Sequence, residues 1–455
     1  MIVVFLATIQ AEAQKEDSVM IKKISDEILS HGKAYENLHY LTKQIGGRLA
    51  GSPQMVEAEQ WGLKIMQESD ADKVWMQECM VPHWVRGWKD FAFAHYTNGD
   101  KVGARNSKEL NVAALGNSIG TGKQAVEADV ILVNSFDELE MKKDSIKGKI
   151  VFYNYRFNDT YINTFFSYRD AGQYRGQGPS RAAKYGAKAV IVRSLSHSTD
   201  NNPHTGATRY DSAYEKIPAV AIGLRDADWL SDQVRSGKVN VTLKTNGHFL
   251  PDTIGHNIIG ELKGTEFPDE FITVGGHLDS WDICEGAHDD GAGVVQTMEI
   301  LRAFKAIGYK PKRTIRFVLF ANEENGLRGG NKYADEAKAK NEKHILAIET
   351  DAGGFTPRAL GFSGSDEQYQ KFLGWKELIA PYGCNEFNKG GGGADIGPLN
   401  RALKTPTASL NPDSQRYFDI HHSKSDVFEA VNKRELELGA INMAALIYLV
   451  DKYGL

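Results

Sequence analysis

Cysteine is scarce: the 455 residues hold three, Cys79, Cys284 and Cys384, far apart and without Cys-x-x-Cys spacing. That excludes a multi-disulfide framework and a cysteine-based zinc site, and it leaves at least one thiol unpaired within the chain. A basic excess is also missing. With 54 Lys and Arg against 59 Asp and Glu the formal charge is −5, and pairs such as Lys142-Lys143 are isolated. No electrostatic pull toward nucleic acid or an anionic membrane follows. No run is apolar for long enough to cross a bilayer; the nearest, Leu436 to Tyr453, is broken by Glu437, Asn442 and Asp451 as in a packing helix. At the other end, Ile2 to Ala7 is apolar and Ala11-Glu12-Ala13 follows, but a basic n-region is lacking. Residues 1–13 read as the remnant of a signal peptide cleaved before Gln14, and the protein is expected to be exported, periplasmic or secreted.

What remains is a chain with 41% hydrophobic and 25% charged residues, the balance of a globular protein. Its length exceeds one ordinary core and suggests two or three domains. Residues 14–105 begin with helical patterning, in which Ser52 can cap a helix opening at Pro53; two strands, Lys73–Gln77 and Phe91–Ala94, follow. Residues 106–250 change to short strands and turns, with a polar stretch from Ser196 to Tyr214 expected as an exposed loop. They carry no acid/base cluster or metal spacing, so His197 and His204 read as surface histidines and the region as an inserted β-rich module that supplies no metal ligand. From residue 251 to 455 strands alternate with helices, the rhythm of an α/β domain. The expected fold is a mixed central sheet flanked by helices, built from 14–105 and 251–455, with the module emerging between them.

The chemistry gathers in the last part. Phe271–Val274 is a β-branched and aromatic run ending at Gly275-Gly276, and Ala292 to Ile307 has helical spacing. The loop between them delivers His277, Asp279, Asp282, Asp289 and Asp290 to one strand end, where ligands of open α/β sheets bind. Glu323-Glu324 follows the strand Thr314–Phe320, Asp351 follows Ile345–Ile348, and His421-His422 comes shortly before Asp426. Two histidines with three or four carboxylates suit a pair of zinc ions, two per chain, which accept imidazole and carboxylate donors.

Gly276-His277-Leu278-Asp279-Ser280-Trp281, Asp289-Asp290-Gly291, Asn322-Glu323-Glu324-Asn325-Gly326 and His422-Ser423-Lys424-Ser425-Asp426 resemble the successive motifs of the co-catalytic zinc exopeptidases. Leu41–Pro53 and the module ending at Pro218-Ala219-Val220 resemble the carboxypeptidase Q-like members, whose insert is a protease-associated domain. The resemblance implies His277 and Asp351 on one zinc, Glu324 and His422 on the other, and Asp289 bridging them ahead of a cis peptide. It makes Glu323 the general base, and Asp279 the residue that orients His277 through its other ring nitrogen. His421 stands where some members carry a tyrosine that assists the oxyanion. Gly392 and Asp395, in the run Lys389–Asp395, correspond to a loop beside the substrate cleft. The implied activity is hydrolysis of dipeptides or short peptides with a free N-terminus, and the resemblance also suggests a homodimer. Two other classes share the architecture: glutaminyl-cyclase-type acyltransferases, which use one zinc, and receptor-like relatives without catalysis. The full ligand set and Glu323 argue against both.

Overall fold

The computed structural model describes residues 2–97 and 106–455, with side chains from residue 14 onward. The export reading of residues 1–13 rests on side chains outside those described. Among the described residues no helix is long and apolar enough to cross a membrane, and all three cysteines are free and buried.

Two eight-stranded mixed sheets organise the chain. In the larger, the spatial order is Lys73–Val85, His248–Leu262, Arg313–Phe320, Phe267–His277, Lys343–Glu349, Thr407–Pro412, Pro357–Ser363 and Glu386–Lys389. The four central strands from Arg313–Phe320 to Thr407–Pro412 run parallel, and the outer pairs at the Lys73–Val85 side run antiparallel. Central parallel strands are covered on both faces, so their runs are almost continuously apolar. Ile272, Val274, Phe317, Leu319 and Ile348 face one core with helices Pro53–Glu68, Ala292–Ala306 and Lys433–Tyr453. Val318, Phe320 and Ala347 face the other, against helices Arg328–Ala339 and Gly397–Leu403. Ser52 accepts from the Met55 amide at 3.1 Å, the cap expected ahead of Pro53. The polar breaks in the last helix are packing groups: Asp451 accepts the amides of Lys312 and Arg313, and Asn442 accepts that of Cys384.

The strand order reverses at Phe267–His277. The next strand in sequence lies on one side of it and Lys343–Glu349 on the other, which opens a crevice at the carboxyl ends.

The smaller sheet differs from the expected β-rich module in two ways. It begins earlier, because Phe91–Tyr96 pairs with Asn106–Leu110 and with Val239–Lys244 rather than joining the larger sheet. Its middle is parallel, running Val126–Val133, Ile150–Tyr153, Ala189–Arg193 and Ala219–Ile222, with helices Thr164–Gly176 and Leu224–Ser236 in the connections. Parallel neighbours require crossovers: helix Phe136–Met141 lies in the first and Thr164–Gly176 in the second, the third runs through residues 194–218 without a helix, and Leu224–Ser236 leads on to Val239–Lys244. The stretch expected as an exposed loop is also partly interior: Pro203 to Gly206 are buried, with His204 only 2% exposed. Alternation within an element cannot reveal a loop that is covered by a distant part of the chain.

Candidate metal centre

His277, Glu323, Glu324 and Asp351 sit at the ends of parallel strands or just beyond them, whereas Asp289 lies in the turn Ala287–Gly291 and His421 and His422 follow the helix Tyr417–Ile420. His277 closes its strand and pairs in register with Phe320, three residues before Glu323; Gly275 pairs with Glu349, two before Asp351. The register alone therefore brings three loops to one point.

Asp289 is at the centre. Its Oδ1 lies 3.2 Å from His277 Nε2, which is 3.6 Å from Asp351 Oδ1. Its Oδ2 lies 3.1 Å from His422 Nε2, which is 3.1 Å from Glu324 Oε2. The two oxygens of one carboxylate thus face two separate His-carboxylate pairs. The peptide between Asp289 and Asp290 is cis, as the resemblance implied. His277 Nε2, Asp289 Oδ2 and Glu324 Oε1 are buried without a hydrogen-bond partner. Buried polar atoms are normally satisfied, and donors converging on shared points suit cations. His277, Asp289 and Glu324 offer atoms within 4.8 Å of one another, as do Asp289, His421 and His422.

Both imidazoles are held by the nitrogen turned away from these points. His277 Nδ1 donates to the Asp279 carbonyl at 2.9 Å, and His422 Nδ1 donates to the Thr205 carbonyl at 3.3 Å. The expected role of Asp279 is therefore divided. Its backbone holds His277 while its carboxylate, 3.7 Å from that ring, accepts the amides of Glu323 at 3.0 Å and Glu324 at 3.3 Å. Asp290 also brings an oxygen close to His277 and Asp351, but its oxygens accept the amides of His277 and Gly293, both at 3.0 Å. A side chain at Gly276 would start 2.4 Å from that carboxylate, so only glycine fits there. Asp426 clamps the amides of His288 and Asp289 at 2.7 and 3.1 Å.

The electrostatics follow from crowding. Burial would raise Asp289, but the charges and hydrogen bonds of His421, His277 and His422 hold it well below the usual carboxylate range. Burial and the neighbouring Asp289 push Glu324 up to about 7. Glu323 is raised well above the carboxylate range, by burial first and then by Asp351 and Glu324. His277 and His422 sit above the ordinary imidazole range because surrounding carboxylates outweigh burial.

A cavity of about 550 Å³ opens on this cluster. Asp289, Glu323, Glu324, Asp351, His421 and His422 line its floor, and Phe165, Tyr168, Arg175 and Arg209 of the smaller sheet's region line the opposite wall. His421 stacks on His422 with ring centroids 3.6 Å apart, its Nε2 3.3 Å from Asp289 Oδ2. The glycine run behaves differently from expectation. Gly392 lines a second cavity of about 430 Å³ that shares Phe165 and Asp351 with the first, whereas Asp395 is fully buried and lines neither. The glycines admit a protein group, since a side chain at Gly393 would begin 2.1 Å from the Glu349 carboxylate. That carboxylate accepts the amides of Asp395 and Ile396 at 3.0 and 2.9 Å.

Several contributors escaped the sequence reading. Buried Arg48 donates to the carbonyls of Leu278, Glu285 and Gly286, at 2.5, 2.9 and 3.1 Å, and pins the key loop. Tyr417 donates to Asp351 at 3.4 Å. His204 and Thr205 touch both histidines of the last motif. Arg48 lies within Leu41–Pro53, a segment that the resemblance marked without giving Arg48 a role; nothing near His204 signals its contacts.

Comparison with known proteins agrees with this architecture. The sequence profile of Peptidase family M28 matches residues 257–447. Human carboxypeptidase Q is 34% identical over 422 residues, 92% of this chain and 86% of that protein. The Xenopus laevis carboxypeptidase Q is 34% identical over 429 residues, covering 93% and 88%. Among solved structures, a peptidase M28 precursor from Shewanella amazonensis SB2B superposes with a TM-score of 0.89 at 31% identity, covering 96% of this chain and 97% of that one. BSAP, a zinc aminopeptidase from Bacillus subtilis, shares the fold at 21% identity with a TM-score of 0.65, covering 91% and 93%. The chain belongs to peptidase family M28 and is a metallo-exopeptidase. Within that family the carboxypeptidases Q are similar to it along nearly the whole length.

Proposed function

We propose that the protein is a di-zinc exopeptidase that hydrolyses dipeptides or short peptides with a free N-terminus. The observation that carries this reading is the single carboxylate of Asp289 facing His277 with one oxygen and His422 with the other. His277, Asp351 and Asp289 would hold one ion, and Glu324, His422 and Asp289 the other. When bound, two zinc ions supply acidification of water and polarisation of the scissile carbonyl. Glu323, a cavity-lining carboxylate raised above its usual range, takes the proton from the attacking water and returns it to the leaving amine. His421, with its Nε2 turned to the same floor, is placed to donate to the developing oxyanion. Asp279 accepts the amides of both Glu323 and Glu324 and so fixes the pair, with Glu324 turned to His422 and Glu323 lining the cavity.

The cavity volume and its far wall support a short substrate. About 550 Å³ lies in the range of small-molecule sites, and Phe165, Tyr168 and Arg175 of the smaller sheet's region help to enclose it. The test is elemental analysis of chain purified without chelator, followed by turnover of matched dipeptides, N-blocked dipeptides and aminoacyl anilides. Two zinc ions per chain and hydrolysis of the free dipeptides alone are expected. One ion after reconstitution, or equal turnover of the blocked substrates, would overturn the reading.

A further inference from the structure

The smaller sheet's region was expected to stand apart from the metal chemistry, yet one of its loops grips the last histidine motif. Thr205 exchanges two hydrogen bonds with His422: its amide donates to the His422 carbonyl at 2.9 Å, and its carbonyl accepts from His422 Nδ1 at 3.3 Å. One residue earlier, His204 Nδ1 lies 2.7 Å from the His421 carbonyl. A carbonyl can only accept, so Nδ1 carries the proton. The loop is tied to its own sheet. The Thr205 hydroxyl donates to the Ala114 carbonyl at 2.8 Å, the His204 amide donates to Ser194 Oγ at 2.9 Å, and Ser194 Oγ donates to the Ile222 carbonyl at 2.7 Å. The grip falls where the chain needs it. His422 has φ +58, a left-handed conformation that non-glycine residues rarely adopt, so the ring's direction depends on what holds its backbone.

We infer that the inserted region is a working part of the metal centre, with His204 and Thr205 as positioning residues that fix the tautomer and direction of His422. The inference rests on the reading of His422 as a zinc ligand. Arg175 Nη1, which can only donate, also lies near that nitrogen, at 3.5 Å; with Nδ1–H donated to the nearer Thr205 carbonyl, the ring presents Nε2 as a lone pair toward Asp289 and Glu324. His204 holds the preceding peptide, so the tandem His421-His422 is anchored at both residues. No ligand comes from this loop. It supplies the outer partners instead, and such partners typically change metal affinity 10–100-fold.

The experiment compares His204→Ala, His204→Gln and Thr205→Val with the parent chain and with His197→Ala, a neighbour in the same region whose ring meets Asp159. Zinc per chain is measured along a graded chelator titration, together with kcat, KM and the circular dichroism of the zinc-free proteins. His204→Ala is expected to release one of its two zinc ions at 10–100-fold lower chelator while the other stays, with kcat reduced, KM little changed and activity returned by excess zinc. His204→Gln, which can still donate to the carbonyl, should recover part of the loss. Thr205→Val should show the same pattern more weakly, because it frees the loop from Ala114 without deleting the carbonyl. His197→Ala should match the parent. Parent-like zinc release in both His204→Ala and Thr205→Val, with only a lower melting temperature, would reduce the grip to a structural contact and overturn the inference. A parent chain that never holds two ions would instead overturn the reading of the site beneath it.

Discussion

The two halves of the centre are built to different plans. On the His277 side the ring's outer partner is the carbonyl of Asp279, two residues on, and the loop is pinned by Arg48 from the adjoining helical segment. On the His422 side the outer partner is Thr205, 217 residues away in sequence and on the other sheet. A ligand held by its own strand end is fixed as soon as the parallel strands pair. A ligand held by a second body is fixed only when the two bodies are seated together. The same junction forms the cavity, whose walls come from both. Seating the smaller region therefore completes the ligand geometry and the substrate enclosure in one step.

The largest effect should come from a strand end of the larger sheet. Glu323→Gln keeps shape and removes the basic carboxylate, so turnover should fall on the order of 10²–10⁴-fold with both zinc ions retained. Glu324→Gln should lose zinc first and regain activity with excess metal. Zinc analysis and dipeptide turnover on both variants decide it. A Glu323→Gln chain that loses metal or turns over normally would reverse the two roles.

A smaller loss, in stability, should follow from Arg48→Met. The guanidinium serves three buried carbonyls of the key loop; stranding such acceptors costs about 1–3 kcal/mol each before relaxation, so a net loss on the order of 3 kcal/mol is expected. Hydrogen exchange locates it. Amides of residues 278–291 should exchange faster while those of 189–222 keep the parent's protection. Equal loosening of both segments would show that the two halves are not independently supported.

What the sequence made legible follows the same division. His277, Glu323-Glu324 and Asp351 stand at strand ends marked by short apolar runs, and parallel register alone brings them together. The choice of Asp289 over Asp290 came from the resemblance; in the structure Asp290 spends both oxygens on amides. Long-range supports left no local trace. Thr205 reads as an ordinary loop residue until His422 arrives, and His204 reads as a surface histidine because its burial is supplied by another part of the chain. The boundary of the inserted region was misplaced for a similar reason. Phe91–Tyr96 has strand composition, but which sheet it joins is decided by partners such as Val239–Lys244 that lie far ahead in sequence.

The smallest effect probes the larger sheet at the end away from the site. Glu342 lies between Arg316, whose Nη1 is 2.6 Å away, and His344 Nε2 at 3.1 Å. Burial alone would raise its carboxyl, but the hydrogen bonds from His344 and Arg316 and the guanidinium charge bring it down to about 2, from 4.5. A folded value below the unfolded one means the unfolded chain binds the proton more readily. The contribution is therefore complete above about pH 4.5 and disappears as the pH falls toward 2. A depression of that size corresponds to about 1–3 kcal/mol once imperfect burial is allowed for. Denaturant unfolding of zinc-free parent and Glu342→Gln between pH 2 and 7 should give curves separated by that amount at neutral pH and converging in acid. Zinc-free chain is the right material, because loss of ligands in acid would otherwise mask the effect. Curves that stay parallel down to pH 2 would mean that Glu342 acts through packing, and that the larger sheet's acid sensitivity belongs to the site rather than to the strand pairing beneath it.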